Sequence, residues 1–426
     1  MSFNIPDSRS KRIVIIGAGF AGLKLATKLE KSKFQVVLID KNNYHQFQPL
    51  FYQVATAGLE PSAISFPLRK IFQDSANMFI RVTELLEIQH QKKLIITQLG
   101  ELSYDYLIIA TGAETNFFGL DGIRKFAIPM KSVSEALSLR NHILQNYEDA
   151  VTCTNTSELE MMMNVVVVGG GPTGVEISGT LAEMKRSILP KDYPDLDFSR
   201  MNIYLIEAGN KLLNGMSASS SNKALLYLEK LGVKVKLNSQ VQDYDGKFIR
   251  TSDGTVIPAK TLVWAAGVVA KRIPGLPEDS FVRGNRISVN EFNQVHGLEN
   301  IYALGDIASM QEGNYKNGHP QMAQAAIQQA NLLAKNILRH IQKKPLQAFQ
   351  YKDKGSMATV GRNLAVVDLP YFKFQGFIAW LTWMFVHLMA IVGVKNRLLI
   401  FINWFWNYLT YDQSLRLIIK PYKKNQ

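Results

Sequence analysis

Two stretches of the chain share one pattern of hydrophobic and polar positions. Residues 12–22 and residues 165–176 each begin with β-branched apolar residues, continue through a Gly-x-Gly-x-x-Gly turn, and then show a helical repeat. An apolar run that ends in a glycine turn predicts a buried parallel strand, and the repeat after it predicts a helix packed on the sheet. The pattern therefore predicts an α/β fold with two similar strand–turn–helix units.

The glycines of these turns predict binding sites for diphosphates. They allow a tight bend and a close approach of the backbone to a pyrophosphate, which then meets the positive N-terminus of the helix. One such motif is weak evidence, because an ordinary α/β domain can also contain a glycine-rich turn. Two motifs in the same context predict two dinucleotides on one chain. The candidate ligands are Gly17, Gly19, Phe20 and Gly22 in the first turn and Gly169, Gly171, Pro172, Thr173 and Gly174 in the second.

Each unit also has an acidic residue at the end of its next predicted strand. Asp40 follows the apolar run 34–39 and lies 18 residues after Gly22, close to the spacing of about 20 expected for a ribose ligand. Glu207 follows the run 202–206. A carboxylate at that position accepts the 2′-hydroxyl of NAD and repels the 2′-phosphate of NADP, which favours NADH, although the nearby Lys211 leaves NADPH open.

Small-residue turns after other predicted strands are further candidates for cofactor contact. Residues 104–112 and 263–267 are apolar runs that end in glycine, and residues 300–306 end in Gly-Asp. Residues 319–330 predict a helix with Pro320 near its first turn. Gln324 and Gln328 share one face of that helix, which fits a site and equally fits a solvated polar face.

Composition limits the chemistry and the partners. The chain has 426 residues, with 48 Lys and Arg against 35 Asp and Glu, and this net charge of +13 predicts an anionic partner such as membrane lipid or nucleic acid. Its one cysteine, Cys153, excludes a redox cysteine pair and a cysteine-ligated iron–sulfur cluster within the chain, so redox chemistry requires an organic cofactor. The polar N-terminus gives no sign of a secretory signal, and the histidines show no metal-binding spacing, so we expect a cytoplasmic protein without a metal site.

The C-terminal part contains two aromatic apolar runs, residues 377–392 and residues 398–409. Both are shorter than the roughly 20 residues that cross a bilayer. Basic residues flank them, which favours amphipathic helices lying in the headgroup region of an anionic leaflet. Burial in a dimer interface is the alternative, and the two can coexist; His387 within the first run is expected to be a packed side chain. The basic residues are Lys395, Arg397, Arg416, Lys420, Lys423 and Lys424.

Together these motifs resemble the two-dinucleotide flavoproteins of the disulfide reductase superfamily, which have the glutathione-reductase-like fold. Within that superfamily the chain closely resembles the type II NADH:quinone oxidoreductases, and the resemblance covers nearly its whole length. The matching motifs are residues 47–58, 169–176, 323–328, 353–361, 381–388 and 404–417.

The resemblance implies an FAD domain at residues 1–115 and 278–345, with an NADH domain at 116–277 inserted in it. It implies a region at 346–426 for membrane association, which is also the candidate region for dimerisation. It implies a peripheral enzyme on the cytoplasmic face of the inner membrane that passes electrons from NADH through non-covalent FAD to ubiquinone or menaquinone, without pumping protons. A homodimer on an anionic membrane surface is expected, with no nucleic acid. By the same resemblance, the FAD ligands include Gly17, Gly19, Phe20, Gly22, Asp40, Lys41, Thr111, Gly112, Gly305, Asp306 and Ala323, and the NADH ligands include the second glycine turn, Glu207 and Gly267.

The resemblance also implies four residues with catalytic roles. Glu176 would lie near the nicotinamide, Gln324 and Gln328 would line the junction of flavin and quinone, and Lys354 would lie near the flavin N5 edge. Three other functions remain open: a sulfide:quinone oxidoreductase, which needs more cysteines; a soluble NAD(P)H-dependent reductase of a protein electron carrier; and a non-catalytic flavin-bearing membrane scaffold.

Overall fold

The computed structural model describes residues 2–313, 315–411 and 415–419. The α-helices are α1 (Phe20–Leu29), α2 (Phe51–Ala55), α3 (Leu68–Ile71), α4 (Asp121–Phe126), α5 (Val133–Val151), α6 (Thr156–Met163), α7 (Pro172–Ser187), α8 (Leu189–Asp192), α9 (Ala218–Lys230), α10 (Ala323–Ile341), α11 (Phe377–Ala390) and α12 (Val394–Thr410). The strands are β1 (Arg12–Ile16), β2 (Gln35–Asp40), β3 (Tyr44–Gln46), β4 (Ser65–Pro67), β5 (Met78–Val82), β6 (Leu85–Gln89), β7 (Leu94–Thr97), β8 (Gly100–Ser103), β9 (Tyr106–Ile109), β10 (Glu114–Thr115), β11 (Ile128–Pro129), β12 (Val165–Val168), β13 (Ile203–Ile206), β14 (Val233–Lys236), β15 (Val241–Tyr244), β16 (Phe248–Thr251), β17 (Val256–Pro258), β18 (Thr261–Trp264), β19 (Val268–Val269), β20 (Phe281–Val282), β21 (Arg286–Val289), β22 (Ile301–Ala303), β23 (Ala308–Met310), β24 (Ser356–Gly361), β25 (Leu364–Asp368) and β26 (Lys373–Gln375).

The chain divides into two units, each made of three separate segments. Unit 1 contains the described parts of Met1–Gln46, Phe66–Glu114 and Val268–Asp353, and unit 2 contains those of Phe47–Ser65, Thr115–Gly267 and Lys354–Gln426. The α/β fold expected from the hydrophobic pattern is confirmed in both units. The predicted limits of the FAD, NADH and C-terminal regions remain predictions, because they depend on where the cofactors bind.

Unit 1 is built on a five-stranded parallel sheet in the order β22-β9-β1-β2-β5. Residues 13–16 of the central strand β1 are buried, as expected for an interior strand of a parallel sheet. Helix α1 follows β1 and packs on α10. The antiparallel sheet β6-β7-β8 and the sheet β20-β21-β23 contribute to the same hydrophobic core as β1.

Unit 2 repeats this arrangement with the sheet β11-β18-β12-β13-β14, which is also parallel. Its central strand β12 consists of four buried valines. In both units a glycine turn follows the central strand, the strand on one side leads to an acidic residue, and the strand on the other side leads to a small-residue turn. The antiparallel sheet β15-β16-β17 packs on the parallel sheet through Tyr244 and Ile249, which share a core with Trp264.

The C-terminal part of unit 2 contains a sheet that the sequence analysis did not predict. Strands β24, β25 and β26 form an antiparallel sheet, and α7 packs directly against β24. Helix α11 then packs on β25, where Ala379 lies against Ala365 and Val367. The region expected to be helical therefore begins with strands, and these strands join the two C-terminal helices to α7.

Helices α11 and α12 occupy the two predicted aromatic runs. The second helix begins at Val394, four residues before the predicted run, because residues 394–397 continue the helical pattern. Within the described residues, no helix is both long and apolar enough to cross a membrane. Three of the predicted flanking basic residues, Lys420, Lys423 and Lys424, lie outside the described residues.

Candidate active site

The first glycine turn lies between β1 and α1, and its geometry separates its three glycines by role. Gly17 has a φ of +100°, and a Cβ there would lie 2.3 Å from the Ala110 carbonyl oxygen. A Cβ on Gly22 would lie 1.8 Å from the Gly17 carbonyl oxygen, whereas one on Gly19 would meet nothing within 4 Å. The outer glycines are therefore required by the packing of the chain itself. Gly19 leaves its backbone open at the N-terminus of α1, which is the cradle that a diphosphate needs.

The second turn, between β12 and α7, has the same geometry. Gly169 has a φ of +107°, and its Cβ would lie 2.4 Å from the Ala265 carbonyl oxygen. A Cβ on Gly174 would lie 1.8 Å from the Gly169 carbonyl oxygen, and one on Gly171 would have open space around it. Pro172 occupies the first turn of α7, where its missing N–H costs no hydrogen bond. Both turns therefore fit a dinucleotide.

The predicted acidic residues hold these turns through equivalent hydrogen bonds. The backbone N–H groups of Ala18 and Asn42 each donate to Asp40 at 2.7 Å, one to each carboxylate oxygen. Burial raises the pKa of Asp40, and the two backbone donors together with Lys41 act in the opposite direction. Each carboxylate oxygen has further acceptor capacity, so Asp40 can also accept a ribose hydroxyl.

Glu207 makes the matching pair of bonds in unit 2. The backbone N–H of Gly170 donates to its Oε2 at 2.5 Å, and the N–H of Gly209 donates to its Oε1 at 2.7 Å. The side chain is half-buried at the end of β13. The long excursion between α7 and β13 thus leaves Glu207 in the position predicted for the acid.

Four other predicted FAD residues lie at the turns next to the sheet of unit 1. Thr111 is exposed, and Gly112, with a φ of +72°, has no atom near its Cβ position. Gly305, with a φ of +73°, is followed by Asp306 in a short 3-10 turn. Phe20 is half-buried and packs edge-on against the buried His45 at 5.4 Å.

Helix α10 begins later than the sequence predicted. Its first residue is Ala323 and its N-cap is Met322, so the predicted start at residue 319 is wrong and Pro320 lies before the helix. The carbonyl of Pro320 instead accepts a hydrogen bond from the Met322 N–H, which forms a turn before the helix. Ala323 and Gln324 consequently occupy the first two helical positions, where the helix dipole favours negative charge.

The polar side chains of α10 make structural contacts that its sequence pattern did not reveal. Gln328 exchanges two hydrogen bonds with the backbone of Lys352, donating at 2.9 Å and accepting at 3.1 Å. Gln324 and Gln328 are both half-buried, so they do not form a simple solvated face. Sequence reasoning missed Gln329, which is buried and accepts the Gly305 N–H at 2.7 Å, and Gln321, which donates to the Asp306 carbonyl at 3.0 Å. A run of glutamines beside a Gly-Asp turn was the available signal.

Glu176 lies in the second turn of α7 and is buried. Burial raises the pKa of its carboxyl to about 8, while the Thr359 backbone and the Trp383 indole lower it by a smaller amount. Nε1 of Trp383 is itself buried and makes no hydrogen bond of normal geometry with a described residue. The carboxyl is therefore largely protonated at neutral pH and lies beside a polar group that lacks a full partner.

Aromatic and amide side chains from α2, α11 and α12 surround this position within unit 2. Trp383 stacks on His387 with ring centroids 4.1 Å apart, and burial lowers the pKa of His387 to about 4. The Trp404 indole donates to Gln53 at 2.8 Å, and Gln53 donates to the Tyr52 hydroxyl at 2.8 Å. These residues come from the motif at 47–58 and from the aromatic runs. The sequence therefore identified the segments, but it did not predict that they contact one another. His387 is packed as predicted, and the described residues contain no group of three metal-ligating side chains.

Lys354 and Gly267 both belong to unit 2. Lys354 precedes β24, whereas Gln324 and Gln328 belong to unit 1, so the structure describes these residues in separate units. Gly267, with a φ of +153°, has the Phe118 ring 3.4 Å from its Cβ position.

A cavity of about 460 Å³ lies within unit 2, next to the Glu176 region. Side chains of α2, α7 and α9, the β24-β25 turn, α11 and α12 form its wall. The charged and aromatic residues of the wall include Glu183, Arg186, Lys230, Arg362, Trp380, Trp383 and Tyr408.

Comparison with known proteins gives consistent results over the whole chain. A family model described as pyridine nucleotide-disulphide oxidoreductase matches residues 11–330, and one described as NDH2 C-terminal domain matches residues 354–411. The type II NADH:quinone oxidoreductase Ndh of Mycobacterium tuberculosis is 36% identical over 417 residues, covering 94% of this chain and 89% of the relative. The type II NADH:quinone oxidoreductase of Haemophilus influenzae is 30% identical, covering 84% of this chain and 87% of the relative.

Among solved structures, NDH2 of Plasmodium falciparum in complex with NADH has a TM-score of 0.89 at 24% identity, covering 97% of this chain and all of that chain. This likeness concerns the fold. The match at residues 354–411 extends the similarity to β24–β26, α11 and α12, which a pyridine nucleotide domain alone would not include.

Proposed function

Since the chain belongs to the type II NADH:quinone oxidoreductases, we propose that its two glycine turns divide the cofactors, with FAD held by unit 1 and NADH by unit 2. The enzyme oxidises NADH and reduces a quinone, and FAD and NADH are its cofactors. The observation that supports the division is the duplicated turn, in which the middle glycine is open and an acid fixes the backbone.

In unit 1, the open N-terminus of α1 would hold the diphosphate of FAD, and Asp40 would accept a ribose hydroxyl. Lys41 is exposed beside Asp40 and can approach the same nucleotide. The turns that contain Thr111, Gly112, Gly305 and Asp306 would contact the remainder of the cofactor, since their glycines allow close approach of the backbone.

In unit 2, the turn at residues 169–174 would hold the diphosphate of NADH. Glu207 would accept the ribose 2′-hydroxyl, and its charge would repel the extra phosphate of NADPH. Glu176 follows the turn on α7 and would lie near the nicotinamide. A carboxyl that stays protonated at neutral pH avoids placing a buried negative charge beside the dinucleotide.

When bound, FAD accepts hydride from NADH and passes two electrons to the quinone. The protein residues orient the partners and balance charge. Ala323 and Gln324 are the first residues of α10, whose positive end would face the flavin, and the Gln328 side chain binds the Lys352 backbone. Gln324, Gln328 and Lys354 are proposed to line the contact between flavin and quinone.

The family is associated with membranes. We propose that this chain is a peripheral protein of the cytoplasmic face of the inner membrane, where α11 and α12 lie on an anionic leaflet, and that it forms a homodimer. Fourteen apolar side chains of the two helices are more than two-fifths exposed, among them Phe385 and Phe405. Electron transfer would occur without proton pumping.

The roles of the glutamines can be tested by separating the two half-reactions. Gln328→Ala should slow reoxidation of the enzyme by a soluble quinone about tenfold, because the segment at Lys352 loses two hydrogen bonds. Bleaching of the flavin band by NADH in a stopped-flow instrument should change little. Gln342→Ala, near the other end of α10, serves as the matched control, and equal slowing of both half-reactions would contradict the assignment.

A further inference from the structure

The cavity of unit 2 has a wall that is both basic and aromatic. Its basic residues come from three elements: Arg186 from α7, Lys230 from α9 and Arg362 from the β24-β25 turn. Trp380 and Trp383 of α11 line it together with Tyr408 of α12. A site with several cations and an apolar side suits an amphiphile that carries negative charge.

Arg362 is fixed in the wall by the contacts of its guanidinium. Its guanidinium lies over the rings of Tyr408 at 4.1 Å and Tyr411 at 3.6 Å, and it donates to the Tyr408 carbonyl. Its Nε is buried without a hydrogen-bond partner among the described residues, and no described carboxylate forms an ion pair with it. A partly desolvated guanidinium that forms no ion pair attracts an anion, and its planar donor set matches phosphate well.

Two further cations of the wall are exposed. Arg186 and Lys230 reach solvent while lining the same cavity, so an anion that enters meets positive charge first. The nearest acidic group, Glu183, accepts a hydrogen bond from the Arg362 backbone N–H. Burial raises the pKa of Glu183 to about 7, so this carboxyl gives up much of its charge near neutral pH and opposes an anion only weakly.

The two helices that form the apolar side of the cavity also carry exposed hydrophobic side chains. Trp380 of α11 stacks near Tyr408 of α12 at 5.5 Å, and both line the cavity. On the same two helices, Phe385 and Phe405 are 65% and 55% exposed. An acyl chain that leaves the cavity along α11 and α12 would therefore meet apolar surface.

We propose that this cavity is a specific site for one anionic phospholipid, with the phosphate at Arg362, Arg186 and Lys230 and the glycerol and proximal acyl carbons against Trp380 and Tyr408. The inference rests on the proposed membrane association, and it adds a defined site to a general attraction between basic protein and anionic surface. The volume of about 460 Å³ accommodates the headgroup and part of the chains.

The test measures lipid binding to the FAD-loaded enzyme rather than turnover, so it is independent of the electron-transfer assignment. Native mass spectrometry in detergent with added phosphatidylglycerol should show one retained lipid, and phosphatidylcholine should bind at least about tenfold more weakly. Quenching of tryptophan fluorescence by a brominated phosphatidylglycerol should follow the same binding curve, because tryptophans line the cavity.

Arg362→Gln should weaken retention of phosphatidylglycerol about tenfold, and Arg186→Gln with Lys230→Gln should weaken it to a similar degree. The second variant changes exposed residues only, so it remains informative if Arg362→Gln folds poorly. Lys395→Gln with Lys373→Gln removes the same charge from outside the cavity wall and should retain the lipid. Equal loss in this control would show that surface charge alone is responsible, and would overturn the proposal.

Other ligands define the remaining outcomes. Inorganic phosphate should displace the lipid only partly at high concentration, because it lacks the apolar contacts. Complete displacement by millimolar phosphate would show a small-anion site and would overturn the lipid assignment. Displacement by a short-chain quinone at its working concentration would assign the cavity to the quinone and would likewise overturn it.

Discussion

The carboxylates of Asp40 and Glu207 occupy equivalent places at the two glycine turns. Each carboxylate accepts one hydrogen bond from a backbone N–H of the glycine turn. It accepts a second from the backbone N–H of the residue two positions after the acid itself. An amide in place of a carboxylate keeps only one acceptor oxygen, so one of these N–H groups loses its partner. The two positions therefore offer a paired experiment on which cofactor each turn binds.

Glu207→Gln should raise the KM for NADH about tenfold and reduce the preference for NADH over NADPH. The variant loses both a charged hydrogen bond to the ribose and the repulsion of the 2′-phosphate. The bound flavin should remain. Asp40→Asn should show the reverse, with weaker FAD retention and a KM for NADH that changes little in the flavin-loaded fraction. Absorbance of retained flavin and steady-state kinetics measure both effects, and flavin loss from the Glu207 variant would refute the division.

The buried carboxyl of Glu176 is expected to make the stability of the protein depend on pH. Burial raises its folded-state pKa to about 8 from the ordinary 4.5, so the folded chain keeps its proton over a range in which the unfolded chain has released it. The stabilisation of the folded state by this bound proton is fully present below pH 4.5. It is lost as the pH rises towards 8, by up to about 1.4 kcal/mol of unfolding free energy per pH unit.

Glu176→Gln cannot ionise, so its advantage in Tm over the parent should grow as the pH is raised from about 5 to about 8. Differential scanning of the flavin-loaded enzyme without NADH measures this difference. Glu229→Gln is the matched control, because that glutamate is exposed and lacks the burial that causes the effect. A Tm difference that is constant with pH would contradict the raised pKa.

At the scale of elements, the contact between α7 and β24 joins the nucleotide-binding sheet of unit 2 to the C-terminal strands. Gly179 permits this contact, since a Cβ there would lie 1.6 Å from the Val360 carbonyl oxygen. Helix and strand can approach this closely only because the glycine has no side chain. The same helix carries Glu176 and Glu183, so the approach also determines what surrounds them.

Gly179→Ala should destabilise the protein by at least about 2 kcal/mol, because β24 is backbone that cannot move aside without breaking the sheet. Chemical denaturation followed by tryptophan fluorescence measures the change. Gly215→Ala adds the same methyl group where nothing lies within 4 Å, and its effect should stay within about 0.5 kcal/mol. Similar stabilities for the two variants would show that the close approach is not required.

At the scale of the molecule, α11 and α12 each have buried and exposed apolar side chains. Ala379, Trp383 and Trp404 are buried within unit 2, whereas Phe385 and Phe405 are exposed. Deleting both helices would therefore uncover the side chains beside Glu176 as well as remove the apolar surface. Substitution of exposed side chains separates membrane binding from folding.

Phe385→Ser combined with Phe405→Ser should lower partitioning onto phosphatidylglycerol vesicles at least tenfold, since each buried ring contributes about 1.5 kcal/mol or more. Activity with NADH and a water-soluble quinone should be retained. Leu226→Ser with Val256→Ser removes exposed apolar side chains elsewhere and should leave vesicle binding unchanged. High salt should release the parent enzyme only in part, because salt does not screen the apolar contribution; full release would show that charge alone holds it.

The sequence by itself determined the local features that depend on neighbouring residues. The β-branched runs at residues 13–16 and 165–168 must be buried strands, and glycine turns after them can close in few ways, so both nucleotide-binding units were predictable. The acids followed from their place at strand ends, even though the excursion before Glu207 changed the spacing. The aromatic composition of residues 377–392 and 398–409 was sufficient to predict two helices.

Only the tertiary structure decided which distant segments meet. The start of α10 moved to Ala323 because the segment around Pro320 forms its own turn, and the partner of Gln328 at Lys352 has no signature in local sequence. The strands β24–β26 are short and pair with one another, so their pattern was too brief to recognise. The raised pKa of Glu176 arises from burial, and the two groups that partly offset it, on Thr359 and Trp383, lie roughly two hundred residues away along the chain. Periodicity reports the environment of a residue relative to its neighbours, whereas burial and charge balance depend on contacts that the whole fold creates.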